Sequence, residues 1–261
     1  MLAFVELLKD PYERKARVMP GLLVVLPILV PLVSVYGPKH VVLTGVLGLL
    51  AGCGAIHALS NIARGLGQGL QERLVKRWGG LPTTLALRHR NTHFDRVTKA
   101  RYHAAIGAKL GITMPNEAQE ARDPVDADEV YIGATAQLRE ATRKDKTLLL
   151  NENIAYGFHR NMLAMKPIGL LTSLVGIVYG LLISKVVSVE PMTFTPLRFV
   201  DPGLPGGLTL LVSIALALAW MVYFTPRSVL RVGYAYAGRL FEALGTLPTS
   251  RAPRTKRVTD A

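Results

Sequence analysis

Residues 167–187 read PIGLLTSLVGIVYGLLISKVV, and this stretch decides the class of fold. Lys185 is its only charged residue, and it stands near the end of the run, where a long side chain can reach the membrane surface. A helix needs about 20 apolar residues to cross a hydrocarbon core about 30 Å thick. The stretch therefore predicts a membrane-spanning helix.

Three further apolar runs have a similar length. They cover roughly residues 18–36, 41–58 and 207–225. Residues 37–40, between the first two runs, leave room only for a tight turn. The fold class predicted is an all-α integral membrane protein with four transmembrane helices in two hairpins. A helical cytoplasmic domain is inserted between the hairpins.

Lysine and arginine residues concentrate on one side of these spans. The opposite side carries only Lys39, Lys185 and Arg198. Because cytoplasmic segments near spans carry the excess of Lys and Arg, both termini and the central segment are predicted to be cytoplasmic, in a bacterial inner membrane. The predicted divisions are an N-terminal segment 1–17, hairpin 18–58, basic domain 59–166, hairpin 167–225, and a C-terminal helix with a basic tail 226–261.

The composition excludes several classes of protein. The net charge of +13 and the pI near 10.1 favour an anionic partner such as phospholipid, nucleotide or nucleic acid. Cys53 is the single cysteine, so an internal disulfide framework is excluded. No charged residue stands near the middle of a span, which argues against a proton-coupled carrier. No Ser/His/Asp or Cys/His arrangement supports an enzyme, and no cofactor is predicted beyond a divalent cation.

Glycine is abundant in the second and third spans. Gly48 and Gly52 lie on the second, while Gly176 and Gly180 form a G-x-x-x-G on the third. Such spacing lets helix backbones approach closely. The sequence leaves two interpretations open, namely packing within one protomer and an oligomer interface.

The central segment has helical periodicity with its own caps. Residues 68–78 are predicted to continue the second span, and 93–110 to form a helix that Thr92 and Asp95 cap and Gly111 ends. A helix over 129–144 is predicted to follow Asp128. Another starts at Thr147 or Asn151 and runs towards the third span. Residues 228–244 predict an interfacial or domain-packing helix.

Basic residues dominate the first half of this segment, interleaved with His89, His93, Tyr102 and His103. Arginine beside aromatic and imidazole groups is suited to phosphate binding and base stacking. A second basic group follows at 139–146. The alternative is a solvated surface that touches anionic lipid. The predicted ligand-binding residues are Arg88, Arg90, Arg96, Lys99, Arg101, Arg143, Lys144, Lys146 and Arg160.

An acidic cluster separates the two basic groups. It contains Asp123, Asp126, Asp128 and Glu129, whose oxygens are suited to a divalent cation. The EF-hand pattern fails, however, because its central Gly and terminal Glu are absent at the required offsets. Helix capping by Asp126 or Asp128 is the alternative.

Two stretches carry a resemblance to a known family. They are WGGLPTT at 78–84, before an Arg/His-rich helix, and ENIAYGFHRNMLAMKPIG at 152–169, which leads into a span. With the layout of two hairpins around a domain, the chain resembles the four-span effectors of bacterial antiphage systems, the transmembrane effectors of the Hailong system in particular. The resemblance implies an oligomeric channel controlled by a nucleotide or DNA oligomer, which a partner nucleotidyltransferase would make.

The leading hypothesis is therefore a homo-oligomeric membrane channel gated by an anionic ligand at its cytoplasmic domain. A non-channel scaffold or subunit that recruits an acidic partner or lipid is the alternative. A lipid-modifying enzyme is a third, for which His57 and His159 are the local candidates.

Overall fold

The computed structural model describes residues 9–37, 45, 48, 54–143 and 148–248, and helices dominate this part of the chain. A short antiparallel pair, β1 (Val187–Ser188) and β2 (Thr193–Phe194), interrupts them. The described helices, in chain order, are α1 Glu13–Tyr36, α2 Ile56–Trp78, α3 Pro82–Leu87, α4 Arg96–Leu110, α5 Glu117–Arg122, α6 Pro124–Ala141, α7 Leu148–Ile183, α8 Gly203–Tyr223 and α9 Pro226–Glu242.

Three of the described helices are long and apolar enough to cross a membrane, namely α1, α7 and α8. They contain most of the first, third and fourth predicted spans, so a membrane location is confirmed. The second predicted span, 41–58, lies mostly outside the described residues, as do Cys53 and Gly52. The arrangement of four spans in two hairpins therefore stays a prediction.

The chain divides into two compact units. The membrane unit contains residues 1–74 and 154–229, and the helical unit contains residues 75–153 and 230–261. The helical unit combines the central segment with the C-terminal region, which the sequence treats as separate divisions.

Close helix packing in the membrane unit occurs at glycines of α7. A Cβ at Gly176 would overlap Ser213 of α8 and lie 2.9 Å from Pro27 of α1, and a Cβ at Gly180 would lie 2.9 Å from Leu210. Both glycines therefore pack helices within one protomer, and the oligomer interface stays a prediction. Gly48 has no neighbour within 4 Å of such a Cβ.

α7 is a single helix of 36 residues with Pro167 inside it. It confirms the prediction that the last cytoplasmic helix continues into the third span. Near the proline, Lys166 Nζ donates to the carbonyls of Met221 and Phe224, at 3.3 Å each. These two carbonyl groups lie at the end of α8, where the last helical turn has no following N–H groups to bond, so Lys166 serves as their donor.

The predicted starts of α4 and α6 are wrong, because in each helix a different residue from the predicted one is the N-cap. Asp95 caps α4 by accepting from Thr98 N at 2.9 Å, so α4 begins three residues later than predicted; Gly111, with φ of 70°, ends it as expected. Asp123 caps α6 by accepting from the backbone of Val125 and Asp126. Pro124 at the first helical position permits that earlier start, since its missing N–H is not needed there.

The core of the helical unit combines α3, α4 and α6 with the C-terminal helix. Tyr131, Ile106 and Leu138 are fully buried there with Leu240 and Phe241 of α9. Each such side chain contributes about 1.5–3 kcal/mol when it leaves water. The domain-packing alternative for residues 228–244 is thus confirmed.

Candidate functional site

Arg88 and Arg90 of the predicted ligand site form ion pairs with the acidic cluster. Arg88 binds Asp128 through two hydrogen bonds, from Nε at 2.7 Å and from Nη2 at 2.8 Å. Arg90 bridges Asp128, at 2.9 Å, and Glu120, at 3.0 Å. Because these guanidinium groups already have carboxylate partners, they hold the fold together and offer little charge to a ligand.

Glu120 is the centre of this network, with 3% of its surface exposed. Its carboxylate accepts from the backbone of His89 at 2.7 Å and from Tyr131 Oη at 2.6 Å. Burial favours a higher pKa for Glu120, but these hydrogen bonds and the charge of Arg90 outweigh it and lower the pKa. Burial and the neighbouring carboxylate raise the pKa of Tyr131.

Lys99 is also structural. Its side chain is buried, and Nζ donates to the carbonyls of Asn91 at 2.6 Å, His89 at 2.9 Å and Arg88 at 3.3 Å. An ammonium group has three N–H donors, and these three carbonyl groups accept from all of them. Lys99 therefore fixes the segment between α3 and α4 and has no donor left for a ligand.

The histidines between these arginines bind the backbone. His89 Nε2 donates to the carbonyl of Pro115 at 3.0 Å, and His103 Nε2 donates to that of Leu87 at 2.8 Å. Burial lowers the pKa of His103, whose ring is consequently neutral at pH 7. His93 stacks on Tyr234, with ring centroids 4.0 Å apart. These three rings serve the fold of the unit.

Arg96 and Arg101 remain exposed but do not converge. Arg96 is 3.7 Å from Glu117, and the Arg101 guanidinium lies 5.3 Å from the ring of Tyr102. Five helical residues rotate a side chain by about 140° from the first position, so the two arginines point to different faces of α4. Arg101 lines a separate cleft with Tyr102 and Glu242, to which Arg96 does not contribute.

Arg160 belongs to the membrane unit, where it binds Gln71 and Asn161. The single ligand site predicted over Arg88–Arg101 with Arg160 is therefore not assembled within either unit. Lys144 and Lys146 lie outside the described residues.

The acidic cluster does not form a cation site. Asp123 caps α6, Asp128 is paired with two arginines, and Asp126 and Glu129 are exposed. Within the described residues there is no group of three or more His, Cys, Asp or Glu side chains arranged to hold a metal. Asp123 and Asp128 serve a helix terminus and two arginines instead, so the structure gives the cation interpretation no support.

A cleft of about 500 Å³ in the helical unit offers a better site. Its volume lies in the range of about 300–1,000 Å³ that small-molecule sites occupy. It is lined by residues of α6, of the turn after α6, of α7 and of α9, namely Ala136, Arg139, Glu140, Thr142, Arg143, Leu149, Leu150, Asn153 and Tyr236.

Two guanidinium groups define the chemistry of this cleft. Arg139 is half-buried and has no ion pair within the described parts of the chain, while Arg143 is exposed and lies 3.5 Å from Glu140. Asn153 adds an amide, and Tyr236 adds an aromatic ring. Guanidinium groups bind phosphate, and an aromatic ring can stack on a base.

Of these lining residues, the sequence predicts only Arg143 as a ligand. The spacing of four residues between Arg139 and Arg143 is a signal that places both on one face of a helix. No comparable signal exists for Asn153 or Tyr236, because they come from other elements. Comparison of the chain with protein-family models, curated proteins and solved structures finds no match. The resemblance to antiphage effectors therefore stays a prediction.

Proposed function

We propose that this chain is a ligand-controlled membrane channel, in which an anionic ligand binds the cleft of the helical unit and changes ion flow through a homo-oligomer. The distribution of Lys and Arg supports a cytoplasmic helical unit. The ligand class is a nucleotide or short oligonucleotide, since the cleft combines two arginines with a tyrosine ring. The resemblance to antiphage effectors supports a role in halting growth.

One observation carries this proposal. Leu149, Leu150 and Asn153 line the cleft, and they belong to α7, which continues without interruption to Ile183 and contains a membrane span. A ligand that contacts the first turns of α7 therefore acts directly on a spanning helix. Homo-oligomerisation is part of the proposal because a few spans without buried charge make a poor pore alone.

The test is ion flux through purified protein in liposomes, with and without short single-stranded oligonucleotides. We expect flux to change with the ligand, and the response to disappear in Arg139→Glu/Arg143→Glu. Charge reversal of the exposed Arg122, on α5, is the matched control and should keep the response. Arg96→Glu/Arg101→Glu tests the site predicted from sequence.

The outcomes separate the hypotheses. Loss of response in the Arg139/Arg143 variant alone supports the cleft, and loss in the Arg96/Arg101 variant alone moves the site to α4. Absence of flux with every ligand contradicts the channel and favours the scaffold that recruits an acidic partner.

A further inference from the structure

Three arginines from three helices meet in the membrane unit. Arg17 comes from α1, Arg64 from α2 and Arg160 from α7. Asn161 donates to the carbonyl of Ala16, next to Arg17, and a Cβ at Gly67, three residues after Arg64, would lie 3.2 Å from Arg160 Nε, so the three helices meet beside these arginines. None of the three contributes to the cleft of the helical unit, so the role of this cluster does not depend on ligand-controlled flux.

Arg160 is buried without an opposite charge. Only 8% of its surface is exposed. Nη1 donates to Gln71 Oε1 at 2.6 Å, and Nε donates to Asn161 Oδ1 at 3.2 Å. Both partners are neutral amides, and no carboxylate within the described residues pairs with this guanidinium. A buried charge is costly unless a counter-charge compensates it.

The carboxylates near the cluster do not balance its charge. Arg17 pairs with Glu13, one helical turn earlier, and Asp10 attracts it more weakly. Arg17 Nε is buried and has no hydrogen-bond partner in the part of the chain that the structure describes. Arg64 is exposed and has no ion pair there. Among the described residues, three guanidinium groups therefore face two carboxylates, only one of which is in contact, and an anion would complete the charge balance.

The frame around the cluster is fixed by Asn161, which is fully buried. Its Nδ2 donates to the carbonyl of Ala16 at 2.6 Å, which joins α7 to α1. Gly67 lets α2 approach the same point, because a Cβ there would overlap Asn161 Oδ1 and lie 3.2 Å from Arg160 Nε. Arg160 is thus held in place before any ligand arrives, which reduces the entropic cost of binding.

The position of the cluster identifies the anion. Arg17 directly precedes the first predicted span, and Arg64 and Arg160 stand about 10 Å from the predicted ends of the second and third, at 1.5 Å per helical residue. The headgroup region extends about 5–8 Å beyond each side of the core, so Arg17 stands at its inner edge, and Arg64 and Arg160 stand just outside it, within reach of a long arginine side chain. Guanidinium groups match the geometry of phosphate oxygens. We propose that Arg17, Arg64 and Arg160 form a binding site for the phosphate group of an anionic phospholipid.

The test is titration of the full-length protein, purified in neutral detergent, with phosphatidylglycerol or phosphatidylcholine, and native mass spectrometry of bound lipid. We expect phosphatidylglycerol to bind more tightly than phosphatidylcholine. Arg64→Gln should weaken the binding of phosphatidylglycerol about fivefold, as expected for one basic residue at a lipid surface. Arg64 is exposed, so its replacement leaves the helix packing intact.

The matched control is Arg73→Gln, since Arg73 is another exposed arginine of α2. It should change the affinity less than twofold. Equal effects of the two variants, or equal binding of the two lipids, would overturn the proposal in favour of general surface attraction. A soluble anion would replace phospholipid as the ligand if millimolar inorganic phosphate displaced phosphatidylglycerol from the wild type but not from Arg64→Gln. Failure of phosphate to displace the lipid supports the proposal.

Discussion

The most consequential single residue in the helical unit is Glu120, which joins α5 to Tyr131 and to the segment before α4. Folding lowers the pKa of Glu120 from its usual 4.5. As pH falls, the unfolded chain therefore takes up the proton first. The stabilisation is complete above the usual pKa and is lost as pH decreases through the folded pKa. We expect the unfolding temperature of the wild type to fall steeply below about pH 4.5.

Glu120→Gln should remove the charge but keep the size of the side chain. We expect it to cost about 2 kcal/mol at pH 7, because the buried hydrogen bonds from Tyr131 and His89 lose their charged acceptor. The stability of this variant should also depend less on pH, between about pH 3 and 5, than that of the wild type, because one titrating group has been removed. Glu117→Gln, at an exposed position, is the control for thermal unfolding followed by circular dichroism. Equal losses in the two variants would contradict the role of Glu120.

Gly169 is the residue that determines how tightly α7 approaches Trp220. A Cβ at this position would overlap the indole ring, coming within 2.5 Å of Nε1, and the ring is fully buried. Gly169→Ala should therefore destabilise the membrane unit by about 1–3 kcal/mol through overpacking. Gly65→Ala, where nothing lies within 4 Å of the new methyl group, should stabilise α2 by up to about 1 kcal/mol. Thermal unfolding in detergent measures the stability of both variants. Equal shifts of their unfolding temperatures would mean that the Trp220 ring moves aside and that Gly169 is not required.

At the scale of the element, the sequence predicts which helices exist better than where they begin. The end of α4 at Gly111 was predictable, since a left-handed residue there favours glycine. The start of α6 was not, because Asp123, Asp126 and Asp128 are all plausible caps and only the fold selects one. Asn116 caps α5 through a reciprocal bond with Gln119, and no helix was predicted there because α5 has only six residues.

The choice of cap gives a prediction about α6. Asp123→Ala should destabilise the helical unit by about 1 kcal/mol, because two backbone N–H groups at the start of α6 lose their acceptor. Asp126→Ala removes the same charge one turn later, where the side chain caps nothing, and should cost only a few tenths of a kcal/mol. Chemical denaturation of the two variants compares them directly. A larger effect at Asp126 would restore the cap predicted from sequence.

Side-chain pairing explains why the structure gives little support to the ligand site predicted over Arg88–Arg101. The sequence shows the runs of opposite charge but not their pairing across 30 to 40 positions. Asp128 and Glu120 together neutralise Arg88 and Arg90, and Lys99 is satisfied by carbonyl groups that no sequence pattern identifies. Arg139 is not among the predicted ligands, because a sequence pattern does not show that it has no carboxylate partner within the described residues.

At the scale of the whole molecule, the net charge of +13 attracts any anion, so charge alone does not distinguish the cleft from the lipid surface. The helix α7 does distinguish the cleft, because it runs from the cleft into the membrane unit. α7 supplies Asn153 to the cleft and Thr172 to the membrane unit, where Thr172 Oγ1 donates to the carbonyl of Val24 in α1 at 2.6 Å. A ligand effect that depends on α7 therefore requires the helix to be continuous between these positions.

Continuity of α7 can be tested by inserting Gly-Ser-Gly after Asn153, where the two units divide. Glycine in a helix interior costs about 1 kcal/mol relative to alanine, so the insertion should break the helix while each unit keeps its own core. We expect oligonucleotide binding to remain and the ligand-dependent change in liposome flux to vanish. The same insertion after Asp201, in the loop before α8, should leave both properties unchanged. A retained flux response in the Asn153 insertion would mean that control of the membrane does not pass through α7, and the other connections between the units would have to carry it.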